Sequence, residues 1–116
     1  MKKLMFLVVF SVLSFGLNAQ NIIGGWEMYS TSENGDKLKS VVIFADGYQV
    51  ISVYDVSTGK FISSNGGTWR LNGDTMTEKV EFDTVTPDRV GSEVSFKVEI
   101  TDSTIQIVDS PMKLTR

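Results

Sequence analysis

The chain of 116 residues contains no cysteine and no histidine. Without cysteine it forms no disulfide and has no lipid-bearing cysteine at a cleavage site, so packing and strand pairing must carry its stability. Without either residue type, Ser-His and Cys-His nucleophilic systems are excluded, and so are the usual zinc sites. Basic side chains are not in excess: 11 lysines and arginines face 14 acidic residues. Nucleic acids are held through basic patches, so a nucleic-acid partner is disfavoured. No apolar run is long enough to span a bilayer. The longest, Leu4 to Leu17, has 14 residues, whereas a transmembrane helix needs ~20. Internal repeats, low-complexity tracts and linker-like segments are also lacking, which argues for a single domain.

What is present begins with that apolar run. Lys2 and Lys3 precede it, and the small residue Ala19 stands before Gln20. This is the pattern of a secretory signal peptide over residues 1–19, with the mature protein starting at Gln20. The alternative is an uncleaved apolar N-terminus inserted in the inner membrane. Cleavage leaves residues 20–116, 97 of the 116, and loss of two lysines takes the formal charge from −3 to −5. Such a chain suits the periplasm or the extracellular medium, with no membrane span remaining. Its length is near the lower end of what one hydrophobic core sustains.

Beyond Gln20 the apolar residues recur with a period of two, and turn signals interrupt them about every ten residues, the pattern of an all-β meander. The expected strands are Gly25 to Ser30, Leu38 to Ala45, Tyr48 to Asp55, Phe61 to Leu71, Asp74 to Phe82, Glu93 to Thr101, Thr104 to Val108, and a short Met112 to Arg116. Asp46-Gly47 and Asn72-Gly73 mark tight hairpin turns. Eight antiparallel strands can close into a barrel that holds packed side chains or one small ligand, and closure removes exposed sheet edges. A two-sheet sandwich is the competing architecture.

Several segments carry a family resemblance: Gly24-Gly25-Trp26, Asp46-Gly47-Tyr48, Thr58-Gly59-Lys60-Phe61, Gly66-Gly67-Thr68-Trp69, Asn72-Gly73-Asp74-Thr75, Thr77-Glu78 and Val90 to Phe96. Together they resemble the small lipocalin-like domains exported by Bacteroidetes, a family of largely unassigned function. The resemblance covers nearly all of residues 20–116 and implies an up-and-down β-barrel. Gly24-x-Trp26 is also similar to the opening signature of lipocalins proper, in which the Trp closes one barrel end and a late Arg packs over it. By that resemblance Arg116 is the matching arginine.

A two-residue turn at Asn72-Gly73 sets Trp69 opposite Met76 and Gly67 opposite Glu78. One face then carries Phe61, Trp69, Leu71, Met76, Val80 and Phe82, and the other carries Thr68, Arg70, Thr75, Thr77, Lys79 and Glu81. The apolar face must point inward, which leaves Glu78 in an oily row with Gly67 giving room beside it. A buried carboxylate without a partner has its pKa raised or requires hydrogen bonds. Glu78 is therefore a candidate polar handle in a ligand cavity walled by Trp69 and Met76. The alternatives are an interior Arg, a Tyr hydroxyl, backbone amides, or water at an open barrel end.

The hairpin around Asp46-Gly47 is apolar on both faces, with Val41, Ile43, Ala45, Tyr48, Val50 and Tyr54 on one and Val42, Phe44, Ile51 and Val53 on the other. Tyr48 and Tyr54 are expected on the cavity side, where their hydroxyls could meet a ligand or Glu78. The outer row of residues 38–55 then suits a homodimer or a protein partner, or else is scattered surface apolarity. Glu93 to Thr101 alternates without a fault, with Val94, Phe96, Val98 and Ile100 facing in. Asp55 to Lys60 lacks the spacing of a calcium loop and the upstream Gly of a phosphate loop, and reads as a turn.

Catalysis is disfavoured, because a glycosidase needs two carboxyl groups about one bond and Glu78 alone is plausibly interior. The expectation is an exported, non-catalytic binding module for a small apolar or amphipathic ligand, with neither cofactor nor metal. The alternative is an envelope interaction or structural module acting through residues 38–55. Candidate ligand-binding residues are Trp69, Met76, Glu78, Tyr48 and Tyr54.

Overall fold

The period-two pattern is realised as one sheet that closes on itself. A computed structural model describes residues 22–116. It contains β1 (Gly24–Thr31), β2 (Lys37–Phe44), β3 (Tyr48–Asp55), β4 (Phe61–Asn72), β5 (Thr75–Asp83), β6 (Glu93–Ile100), β7 (Thr104–Ile107) and β8 (Lys113–Thr115). Each strand pairs antiparallel with its sequence neighbour and β8 returns to β1, so the expected barrel forms and the sandwich does not. The expected signal peptide lies outside the described residues.

An up-and-down meander sorts its loops between two ends. The tight turns after β2, β4 and β6 share one end with Ile22 and Arg116, and the longer connections after β1, β3, β5 and β7 share the other. The first end is plugged: Ile22 and Trp26 are fully buried, and the Trp26 indole N–H donates to the Ile22 carbonyl at 2.9 Å. The Arg116 guanidinium lies over the Trp26 ring and donates through Nε to the Asp102 carbonyl at 2.9 Å. The seam between β1 and β8 has one register pair, Glu27 with Thr115. Arg116 therefore reinforces a closure that strand pairing alone makes thin.

The inner face bears Trp26, Val42, Phe44, Met76, Val98, Ile105 and Leu114, all buried in one cluster. Removing each such side chain from water is worth ~1.5 to 3 kcal/mol, which suffices to account for these rows. Along β6 the inward row grades from open to closed: Val94 is 42% exposed and Val98 is 3% exposed. The long-loop end is thus the open one.

The hairpin of β4 and β5 keeps the expected faces from Gly67 to Leu71 and from Met76 to Val80 but shifts its register. Leu71 pairs with Met76, Trp69 with Glu78 and Gly67 with Val80, so the loop is Gly73-Asp74 rather than Asn72-Gly73. A type I′ turn at Asn72-Gly73 would need Asn72 at positive φ. Among the described residues Asp109 is the one non-glycine there, while Gly73 has φ 63° and leads the turn instead.

Two irregularities then overturn the alternation. The β4–β5 register shifts between Gly66 and Gly67, and Phe82 pairs with Gly66. Its ring lies 2.8 Å from where a Gly66 Cβ would stand, and Phe82 is turned outward, not into the core. The β3–β4 register shifts between Val53 and Tyr54, and Phe61, also expected inside, is exposed. A bulge inserts one residue and so reverses the face of every side chain beyond it. Gly67 does not make room beside Glu78. A Cβ there would collide with the Lys79 carbonyl oxygen, so the glycine permits close backbone approach at the bulge.

Candidate functional site

The open end of the barrel leads into a cavity of about 200 Å³. Its apolar lining includes Met28, Met76, Ile105, Ile107 and Leu114. Its polar lining comes from four elements: Gln49 of β3, Asn65 of β4, Glu78 of β5, and Arg89 of the short 3-10 turn Pro87–Arg89. Apolar lining with a few placed polar groups is the usual make-up of a small-molecule site.

Gln49 occupies an inward position between Phe44 on β2 and Gly67 on β4. It is 7% exposed, and its side chain lines the cavity. Glu78 lies between Trp69 and Val94, and no hydrogen bond acts on its carboxyl. Burial raises the Glu78 carboxyl above its ordinary pKa, and the charge of Arg89 opposes part of that rise. Arg89 itself is held by Asp83, at 3.7 Å. The Asp83 carboxylate accepts the N–H groups of Val85 and Thr86 at 2.9 and 2.8 Å, which lower its pKa and fix the start of the loop carrying Arg89.

The structure brings Met76 and Glu78 together as expected. Trp69 is not among the lining residues. It stands edge-on to Phe44 at 5.5 Å and donates from its indole N–H to the Ala45 carbonyl at 2.8 Å, so it buttresses Phe44, which does line the cavity. The two tyrosines are a correction. Tyr48 is 60% exposed and Tyr54 pairs across from Lys39, in the row that carries Val41 and Ile43 outside the barrel. Strand parity forces this: the opposite row of the same hairpin holds Ser40, Val42, Phe44 and Gln49, all buried.

Gln49, Asn65 and Arg89 were not singled out from the sequence as site residues. Gln49 had a readable signal, since it falls in phase with Ile51 and Val53 on one face of β3. Asn65 falls in phase with Trp69 and Leu71 on β4. Arg89 sits in an irregular connection and carries no periodic signal. Among the described residues no group of three or more acidic side chains could hold a metal ion.

Two solved structures share this architecture. A lipocalin-like protein from Bacteroides uniformis is 15% identical with a TM-score of 0.54, over 82% of this chain and 94% of that one. An uncharacterized protein from Bacteroides eggerthii is 18% identical with a TM-score of 0.52, over 81% of this chain and 95% of that one. At such identity the likeness is one of fold, and the fold of this chain is that of a lipocalin-like barrel. No family model matches the chain, and no curated protein matches it.

Proposed function

We propose that this chain is an exported, non-catalytic binding module that takes one small amphipathic molecule into the Glu78 end of its barrel. The carrying observation is that three polar side chains from three strands, Gln49, Asn65 and Glu78, line one otherwise apolar cavity. A few placed polar groups in apolar surroundings are what fix a small ligand's orientation in a binding pocket. An engineered apolar cavity of ~150 Å³ accepts benzene, which makes about 200 Å³ suitable for a molecule of seven or eight heavy atoms. Candidate contacts are Met76, Glu78, Gln49 and Asn65. Trp69 acts through Phe44. Calorimetric titration with benzene-sized amphiphiles tests this: binding is expected, and it should be lost in Ile107→Phe, which fills the wall. Equal binding by that variant would refute the site.

A second reading rests on the outer surface. Gly25, Ile43, Val50, Gly66 and Phe82 stand in register across five strands, with Ile43 and Phe82 49% and 42% exposed. This apolar row suits a second copy of the chain or another protein. Light scattering at micromolar concentration should show a dimer that Ile43→Lys dissociates, and a monomer at all concentrations would exclude self-association.

A further inference from the structure

We infer that the ligand presents a primary ammonium group to the Glu78 end of the cavity and an apolar body to the methionine wall. The inference rests on the binding reading above and specifies its ligand class. A primary ammonium carries three donors and no acceptor. The cavity is lined by three side chains that carry acceptors: the Glu78 carboxylate, and the side-chain carbonyls of Gln49 and Asn65. Either amide can turn its oxygen inward by rotation about its terminal torsion.

Charge favours the same class. Glu78 has apolar neighbours on both adjacent strands, Trp69 and Val94. Arg89 is the charged group facing it from the neighbouring loop, and that guanidinium is already drawn to Asp83. Asp83 and Arg89 offset one another, which leaves the site with one unbalanced negative charge. A ligand cation supplies the missing partner, and in a low-dielectric site such a charge-assisted hydrogen bond is stronger than a neutral one. A ligand carboxylate would instead meet Glu78 as a like charge and compete with Asp83 for Arg89. Beyond the polar groups, Met28, Met76 and Met112 line the cavity. Their flexible thioethers adapt to an unbranched or aromatic body.

The test uses hexylamine, hexanamide and hexanoate, which share a chain length and differ at the head group. Affinity is measured by calorimetry, and occupancy by the NMR shifts of 13C-labelled methionine methyls. Hexylamine is expected to bind tightest and hexanoate weakest, with the Met76 methyl shifting. Glu78→Gln should weaken hexylamine about tenfold or more, the worth of a hydrogen bond to a charged group, and leave hexanamide unchanged. Gln49→Leu should weaken hexylamine as well. Tighter binding of hexanamide or hexanoate, or hexylamine affinity indifferent to Glu78→Gln, would overturn the ammonium inference while leaving the cavity as a binding site. Failure of all three to bind or to move any methionine methyl would overturn both.

Discussion

The guanidinium carbon of Arg116 lies 4.2 Å from the centre of the Trp26 ring, joining the chain beyond β8 to the first strand of the barrel. The stacked cation covers the indole while its N–H groups reach carbonyls of Asp102 and Ile23, at 2.9 and 3.3 Å. Since β8 and β1 share a single register pair, this side chain holds much of the seam. Arg116→Ala should therefore lower stability by ~1 to 2 kcal/mol in urea unfolding. Arg116→Lys should recover only part of the loss, because an ammonium lacks the planar fork that serves two carbonyls while stacking.

Gly67 and Gly25 make a matched pair of substitutions. A Cβ at Gly67 would collide with the Lys79 backbone, whereas one at Gly25 meets nothing within 4 Å. Gly67→Ala is expected to cost ~1 to 3 kcal/mol, the range for overpacking that displaces backbone. Gly25→Ala should change stability by less than ~0.5 kcal/mol. Thermal melts of the two variants check the difference.

Glu78 makes stability depend on pH in an unusual direction for a carboxyl group. Its folded pKa is raised by burial above the ordinary value of 4.5, so the folded state holds this proton to higher pH than the unfolded chain. Stability from this group is present below the unfolded pKa and is lost as pH rises through the folded one. Glu78→Gln should melt higher than the parent protein at about pH 7, and the gain should shrink at about pH 4. A gain that grows on acidification would contradict the burial of this carboxyl.

Trp69 separates support from contact. Trp69→Phe removes the hydrogen bond to Ala45 and should cost ~1 kcal/mol of stability. Because Trp69 reaches the cavity only through Phe44, ligand affinity should hold within about twofold, well under the tenfold that 1.4 kcal/mol represents. Calorimetry of the variant with a bound amphiphile reads both quantities.

The barrel was legible because period-two rows and glycine-bearing turns are local signals. Trp26 with Arg116 was legible through family resemblance. The Met76 and Glu78 placement survived a shifted register because moving the turn by one residue on each strand preserves strand parity. Phe61 and Phe82 were misread because bulges break that parity, and nothing in the residue pattern around Gly66-Gly67 separates a bulge from a plain strand. Tyr48 and Tyr54 were misplaced for another reason. Both rows of their hairpin are apolar, so composition gave no means to choose the inner one, and only packing against Trp26 and Met28 on β1 decides it. Arg89 comes to the cavity through the Asp83 turn, a tertiary arrangement that no spacing encodes.

The most direct test of the account labels the methionine methyls with 13C and titrates the protein with benzyl alcohol, a neutral amphiphile of the size the cavity accepts. Saturable shifts of the Met28, Met76 and Met112 methyls, reduced in Ile107→Phe, are the result expected of a ligand-binding barrel. Methionine methyls that stay unmoved up to millimolar ligand would contradict it and leave the outer row around Ile43 as the surface to test for function.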